Sequence, residues 1–142
     1  MPIVRSETGR RGEFVTGNLE NADVAALADA LRGVDTVVHL AARTHVMRDH
    51  GDALATYRRI NVEATARLMQ AVAATGVKRV VYMSSIKVNG EETAPGVRFS
   101  GSDLPQPADD YGRTKYEAEQ LVAIEGDRSG FETTILRPPM IY

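Results

Sequence analysis

The sequence of 142 residues predicts an α/β fold built on a doubly wound parallel sheet. Three short apolar runs rich in β-branched residues predict strands that are covered on both faces, at Thr36–Ala42, Arg79–Ser85 and Thr133–Arg137. Helical patterns alternate with these runs, and this order requires crossover connections between parallel strands. We therefore expect one parallel sheet with helices on both of its faces.

The predicted helices carry apolar residues at steps of three and four, and two of them stop at a glycine. They span Asn21–Arg32, Asp52–Thr75 and Asp109–Glu125, the last of which begins with an acidic turn. Two weaker apolar runs, Pro2–Arg5 and Glu13–Thr16, predict further short strands.

Composition excludes several classes of function. The net charge of −2 and the pI near 5.9 argue against a nucleic-acid partner, because no basic stripe is available to neutralise phosphates. The absence of cysteine excludes disulfides and thiolate chemistry. His45 and His50 lack the spacing of metal ligands, so we predict no metal site. No apolar stretch reaches the length of a membrane span and the first residues do not form a signal peptide, so we expect a cytoplasmic protein without a membrane partner.

Tyr111 and Lys115 are the first candidates for catalysis. Positions i and i+4 share one face of a helix, so the phenol and the ammonium are expected to lie side by side. A tyrosine is a poor acid or base at neutral pH, and moving its pKa from about 10 towards 7 requires about 4 kcal/mol. A neighbouring lysine and a helix N-terminus both act in that direction. The alternative interpretation is two ordinary residues on a solvated helix.

Ser84 and Ser85 close a predicted buried strand, which places hydroxyl groups at the carboxyl edge of the sheet. A serine there can hydrogen-bond a substrate oxygen while a tyrosine transfers its proton; the alternative is two small residues that merely end a strand. His39, inside an apolar strand, is interpreted as a core or cofactor-side residue, and Lys87 as a loop charge. The long segment Ile86–Ala108 leaves the same edge, which favours a substrate-side loop over a tolerated insertion.

Six ordered motifs resemble the extended short-chain dehydrogenases/reductases, and in particular the NAD-dependent epimerase/dehydratase family. The resemblance runs from about residue 13 to residue 142. The motifs are Gly17-Asn18-Leu19, HLAA at 39–42, Asn61-Val62, VVYMSSIKVNG at 80–90, Tyr111 with Lys115, and ILRPPMIY at 135–142.

The resemblance implies an enzyme of nucleotide-sugar metabolism with a fold of Rossmann type. It implies that Tyr111 is the general acid/base, that Lys115 lowers the pKa of Tyr111 and binds the nicotinamide ribose, and that Ser85 orients the sugar hydroxyl. The activity implied is 4-epimerisation or 4-keto reduction of a UDP- or dTDP-sugar, with a UDP-N-acetylhexosamine favoured, and the full-length relatives are expected to be homodimers. The implied cofactor-binding residues are Asn18, Leu19, Leu40, Ala41, Ala42, Arg43, Asn61, Ser84, Tyr111, Lys115, Pro138 and Pro139.

The sequence also departs from the family pattern. Its first strand and its glycine-rich loop have no counterpart here, since Gly9 and Gly12 lack a third glycine at the required spacing and precede a strand rather than a helix. Residues 1–142 are therefore interpreted as a partial NAD(P)-binding Rossmann domain that binds cofactor weakly and is inactive alone. Asn18 stands where the family usually has an aspartate at the adenine. Arg5 would suit a 2′-phosphate, so NADP is possible beside NAD.

Two further expectations follow from the same comparison. Without the first strand, either Glu13–Thr16 pairs directly with Thr36–Ala42 or the latter keeps an unpaired edge. Dehydratases of the family carry Asp-Glu after the catalytic hydroxyl residue, whereas Ile86-Lys87 follow Ser85, so dehydration is not expected. A non-catalytic cofactor-binding module of the same family remains the alternative function.

Overall fold

The computed structural model describes residues 2–5, 13–44 and 52–139. The elements in chain order are β1 (Pro2–Arg5), β2 (Glu13–Thr16), α1 (Val24–Ala30), β3 (Thr36–His39), α2 (Ala53–Tyr57), α3 (Ala64–Ala73), β4 (Arg79–Met83), α4 (Asp110–Ser129) and β5 (Glu132–Leu136). A π-helical segment, Arg58–Glu63, joins α2 to α3, and a 3₁₀ turn, Ile86–Val88, follows β4.

The central sheet is parallel, with the strand order β3-β4-β5. This confirms the predicted α/β class with a parallel sheet. Strand β3 pairs with β4 alone within the part of the chain that the structure describes, so the second expectation, an unpaired edge, is the one observed. Strands β1 and β2 form a separate antiparallel pair rather than joining a parallel sheet. Runs of four residues predict a strand but carry no information about its direction.

The helices in the described ranges pack on one face of the sheet, which corrects the expectation of helices on both faces. Leu27 of α1, Leu68 and Val72 of α3 and Val122 of α4 belong to one buried cluster with Val80 of β4. On the opposite face Val38 is 56% exposed and Leu136 is 42% exposed. Near-continuous apolar runs predict strands whose two faces are both suited to burial. They do not predict which segment packs on each face.

The strands end earlier than predicted, at His39 instead of Ala42 and at Met83 instead of Ser85. Residues beyond β4 still bond to the end of β5 and the segment that follows it. The Ser84 and Ile86 amides donate to the Leu136 and Pro138 carbonyls at 2.7 and 3.0 Å. The catalytic candidates therefore lie on turns held by this irregular continuation of the sheet.

Helix α4 begins where its sequence predicts. The Asp109 carboxylate caps it by accepting the Gly112 amide at 2.6 Å, and Gly130 ends it with a left-handed φ of 79°. The predicted single helix Asp52–Thr75 is instead α2, the π-helical segment and α3 in succession. None of the described helices combines the length and apolar content needed to cross a membrane.

Candidate active site

The catalytic candidates meet at the carboxyl edge of the central sheet. Because β3, β4 and β5 are parallel, the residues after each strand lie at the same edge. Ser85 follows β4, Pro138 follows β5, and the first turn of α4 brings Tyr111 to the same place. The carbonyl of Pro138 accepts the amide that follows Ser85, which fixes the end of β5 beside the serine.

Tyr111 is half-buried, and its phenol interacts with the Ser85 side chain. Burial raises the pKa of Tyr111 above its ordinary value, and the hydrogen-bonding influence of Ser85 acts in the opposite direction. The charge of Asp109 and the neighbouring Tyr57 raise that pKa further. The Tyr57 ring centroid lies 6.2 Å from that of Tyr111. In this arrangement the phenol is therefore protonated at neutral pH.

Lys115 bonds to the backbone at the end of β4. Its side chain is almost fully buried, its ammonium donates to the Met83 carbonyl at 2.5 Å, and it lies 4.2 Å from the centroid of the Tyr82 ring. The predicted lowering of the Tyr111 pKa is not seen, since that pKa is raised and Lys115 is not among its causes. Burial instead lowers the pKa of Lys115 itself to about 8, with Glu119 opposing the shift.

Asn61 joins three parts of the site. Its side-chain oxygen accepts the Arg43 amide at 2.8 Å, and its side-chain nitrogen donates to the Arg43 carbonyl and to the Thr114 hydroxyl, each at 3.2 Å. The Thr114 hydroxyl in turn donates to the Tyr111 carbonyl at 3.0 Å. Asn61 lies in the π-helical segment, an irregularity often found at functional sites. The predicted cofactor-side asparagine thus holds the turn after β3 against the helix that carries Tyr111.

His39 is buried beneath this edge. The Thr65 hydroxyl donates its proton to the Asn61 carbonyl at 2.7 Å, so the Thr65 oxygen accepts a hydrogen bond from His39 Nε2 at 2.9 Å. The neutral His39 ring therefore carries its proton on Nε2. Burial, assisted by the charge of Lys115, lowers the pKa of His39 to about 4. The histidine is therefore neutral at physiological pH and belongs to the core beneath the site.

We predict that His39 makes the fold sensitive to acid. Between pH 6.5 and pH 4 His39 is protonated in the unfolded chain but remains neutral in the folded chain. The free energy of unfolding therefore falls as the pH falls through this window. The loss between pH 7.5 and pH 5 should be about 2 kcal/mol in the free energy of unfolding. Urea denaturation at both pH values, compared with His39→Gln, measures it. An equal loss in the variant would assign the acid sensitivity to other groups.

A largely buried ion pair between Arg137 and Glu119 secures the end of β5. Arg137 donates to both oxygens of Glu119, at 2.9 and 2.6 Å, and to the Asn89 side chain at 3.3 Å. Asn89 also donates to the Ser100 carbonyl at 2.8 Å, which ties the loop after the 3₁₀ turn to the same cluster. The sequence motif containing Arg137 was predicted to contribute Pro138 and Pro139 to the cofactor site. Its arginine holds β5, α4 and this loop together.

The other predicted cofactor residues are placed differently from one another. Ser84 is buried and its hydroxyl has no hydrogen-bond partner in the described part of the chain. Asn18 is exposed and accepts the Glu20 amide at 3.1 Å, while Leu19 packs against the core. The residues Leu40, Ala41, Ala42 and Arg43 form the turn after β3, where Leu40 is exposed, and Pro138 and Pro139 follow β5.

Lys87, predicted as a loop charge, lies on the 3₁₀ turn after Ser85. It pairs with the Glu91 carboxylate and lies 3.6 Å from an oxygen of Asp109. Within residues 2–5, 13–44 and 52–139 no cluster of side chains suited to a metal is found. Gly9, Gly12, His45, His50 and Tyr142 lie outside the described residues, as does the side chain of Arg5.

The residues at this edge fit the nicotinamide and ribose end of a dinucleotide. The unpartnered hydroxyl of Ser84 is a buried polar group that a ligand amide or hydroxyl would satisfy. The Lys115 ammonium is held near this edge by the Met83 carbonyl, and Tyr111 and Ser85 lie at the same edge. A parallel α/β sheet with serine, tyrosine and lysine at its carboxyl edge is the arrangement that the sequence resemblance to short-chain dehydrogenases/reductases implies.

Comparison with known proteins agrees with that class. Residues 3–142 match the NAD dependent epimerase/dehydratase family, and the chain belongs to this family. UDP-glucose 4-epimerase of Vibrio cholerae is 44% identical over 128 residues, which are 87% of this chain and 39% of that protein.

Solved structures give the same result. UDP-glucuronic acid 4-epimerase from Bacillus cereus in complex with NAD superposes with a TM-score of 0.74 at 27% identity, over 89% of this chain and 38% of that one. MoeE5 in complex with UDP-glucuronic acid and NAD superposes with a TM-score of 0.71 at 40% identity, over 85% of this chain and 38% of that one. The chain therefore spans about two fifths of the length of these relatives.

Proposed function

We propose that the natural protein containing these residues is an NAD-dependent 4-epimerase of UDP-hexoses. The observation that carries the proposal is that Ser85 after β4 and Tyr111 in the first turn of α4 lie at one carboxyl edge of a parallel sheet, where the buried Lys115 bonds the end of β4. The similarity to UDP-glucose 4-epimerase of Vibrio cholerae and to UDP-glucuronic acid 4-epimerase from Bacillus cereus supports this substrate class. Reduction of a 4-keto sugar is the second activity that the same residues could perform.

The side chains divide the proton chemistry among them. When bound, NAD accepts a hydride from the sugar and returns it, and its oxidised ring brings a positive charge. Ser85 hydrogen-bonds the C4 oxygen and aligns it with Tyr111, which takes the hydroxyl proton as the alcohol is oxidised and gives it back as the ketone is reduced. Lys115 holds the ribose.

The raised pKa of Tyr111 bears directly on this role. A protonated phenol suits the step in which the keto oxygen receives a proton. The step in which Tyr111 removes a proton needs a nearby positive charge, because opposite charge favours the ionised form. Ser85 already acts in that direction, and Asp109 acts against it. The raised pKa of Tyr111 therefore favours the acid role, and Ser85 is the described group that opposes the shift.

We predict that the protein epimerises without dehydrating. Loss of water between C5 and C6 requires an acid and a base beside the sugar, and the residues after Ser85 are Ile86 and Lys87. Two carboxylates that contact this turn, those of Glu91 and Asp109, are both engaged with Lys87. The natural protein is incubated with NAD and UDP-glucose, UDP-galactose or the corresponding UDP-N-acetylhexosamines. The products are separated, and their masses are measured by mass spectrometry. An epimer of unchanged mass is expected. A product lighter by one water would contradict the proposal, and no turnover of any of them would favour a non-catalytic module.

A further inference from the structure

The contact between the turn that carries Ser85 and the helix that carries Tyr111 has no room for a side chain at Gly112. A Cβ at this position would lie 2.7 Å from the Lys87 carbonyl oxygen, 3.1 Å from a carboxylate oxygen of Asp109 and 3.1 Å from Cβ of Pro107. The Lys87 oxygen belongs to the backbone, so it cannot rotate away as the end of a side chain would. Gly112 does not have a positive φ, so the requirement is for space and not for an unusual backbone conformation.

Neither side of this contact is free to retreat. The turn is fixed behind Ser85, because the Ile86 amide donates to the Pro138 carbonyl and the Gln106 amide donates to the Val88 carbonyl. The Ser85 hydroxyl itself accepts the Lys87 amide at 3.2 Å, so Lys87 and Ser85 move as one unit. On the other side, α4 is held by the bond from Lys115 to the Met83 carbonyl. A side chain at Gly112 would therefore change the separation of the two hydroxyl-bearing segments.

An ion pair crosses the same contact. Lys87 lies 3.6 Å from Asp109, the residue that caps α4 through the Gly112 amide. The cap, the glycine and the lysine together bind the first turn of α4 to the turn after Ser85.

We propose that Gly112 is a positioning residue that sets the distance between the Ser85 hydroxyl and the Tyr111 phenol. This inference rests on the proposed function for its catalytic consequence, because it deepens the assignment of these two side chains. A glycine inside a helix ordinarily destabilises it by about 1 kcal/mol relative to alanine. Its presence in the first turn of α4 therefore opposes helix propensity and is explained by the close approach.

Gly126 provides the matched control. It lies in the same helix and is buried, and its φ is also not positive. A Cβ there would meet the Thr133 side chain and, at 3.1 Å, the Phe131 carbonyl. The clash is comparable, but it lies about 21 Å along the helix from Gly112. Gly126→Ala should thus perturb packing without touching the site.

The first test uses the 142-residue chain and needs no activity. The pKa of Tyr111 is measured by NMR with ¹³C-labelled tyrosine in the wild type, Gly112→Ala, Ser85→Ala and Gly126→Ala. Since Ser85 lowers this pKa, separating the two groups should raise it in Gly112→Ala, in the same direction as in Ser85→Ala. Gly126→Ala should leave it unchanged. An unchanged pKa in Gly112→Ala, or an equal shift in Gly126→Ala, would overturn the proposal.

The second test uses the natural protein with NAD. Gly112→Ala should lower kcat by at least about tenfold with little change in KM, because small displacements of catalytic groups have large effects on rate. In a Ser85→Ala background the same substitution should have little further effect, since the two act through one contact. Equal losses in both backgrounds would contradict the positioning role. If Gly112→Ala does not fold, Asp109→Asn keeps the cap but removes the ion pair, and the same dependence on Ser85 is expected.

The two proposals fail in different ways. A wild-type protein that epimerises no nucleotide sugar would remove the proposed function, while the tyrosine titration would still test the contact. An active wild type with an equally active Gly112→Ala variant would leave the function in place and remove the positioning role.

Discussion

Tyr111→Phe should abolish epimerisation while leaving the affinity for NAD within a few-fold of the wild type. The phenol transfers the proton, a contribution typically worth about 10²–10⁴-fold in rate, whereas the ring can still pack beside Tyr57. Steady-state kinetics and cofactor titration on the natural protein measure the two quantities separately.

Tyr116→Phe is the control for this substitution. Tyr116 lies in the same helix, and its hydroxyl accepts a long bond, 3.3 Å, from Gln120. The Tyr116→Phe variant should retain the wild-type rate. If Tyr111→Phe keeps more than about a tenth of the wild-type rate, Tyr111 is not the general acid/base.

Lys115→Met should lose both turnover and cofactor affinity, yet the protein should be no less stable. The ammonium is almost fully buried, and lowering its pKa from 10.5 to about 8 corresponds to a penalty of about 3 kcal/mol at neutral pH. Methionine has a similar length and no charge, so the penalty disappears with the loss of one hydrogen bond to Met83. A buried charge that weakens the fold is a mark of a functional residue.

The same substitution has a defined pH signature. Between pH 8 and pH 10.5 the unfolded wild type holds a proton that the folded state has released, so wild-type stability gains a contribution as the pH rises through this window. Lys115→Met should lack that contribution. Lys78→Met, at an exposed lysine paired with Asp35, serves as the control for activity. A Lys115→Met protein that is active, or that melts well below the wild type, would contradict the assigned role.

The grouping of the candidate site residues could be predicted from the sequence because they lie at positions that the fold brings together. Ser85 follows a strand and Tyr111 begins the next long helix, so the parallel topology alone places both at one edge. The periodicity of α4 and the capping Asp109 were sufficient to predict where that helix begins.

Other features depended on tertiary contacts that no local pattern records. The π-helical segment that turns Asn61 towards Arg43 leaves the amphipathic pattern of the surrounding helix intact. The direction of Lys115 towards the Met83 carbonyl follows from its burial, which spacing from Tyr111 cannot show. Gly112 reads as an ordinary helix position until the turn after Ser85 is seen against it.

The pairing of the first two strands also escaped prediction, as did the single helical layer. Both concern segments whose neighbours are set by chain topology and not by composition. An apolar run predicts that a strand is suited to burial. Val38 is nevertheless exposed, because the helices of the described ranges pack on the opposite face of the sheet.

The most direct test of the proposed function follows hydrogen at C4. The natural protein is incubated with NAD and UDP-glucose or UDP-N-acetylglucosamine in D₂O, and the products are examined by ¹H NMR and mass spectrometry. If Ser85 and Tyr111 transfer only the hydroxyl proton while the C4 hydrogen leaves and returns as hydride, the C4 epimer forms with no deuterium on carbon. Deuterium at C5 of a product that has lost water would show a dehydratase. Deuterium at C4 would show that the hydrogen exchanges with solvent, and either result would contradict the proposed chemistry.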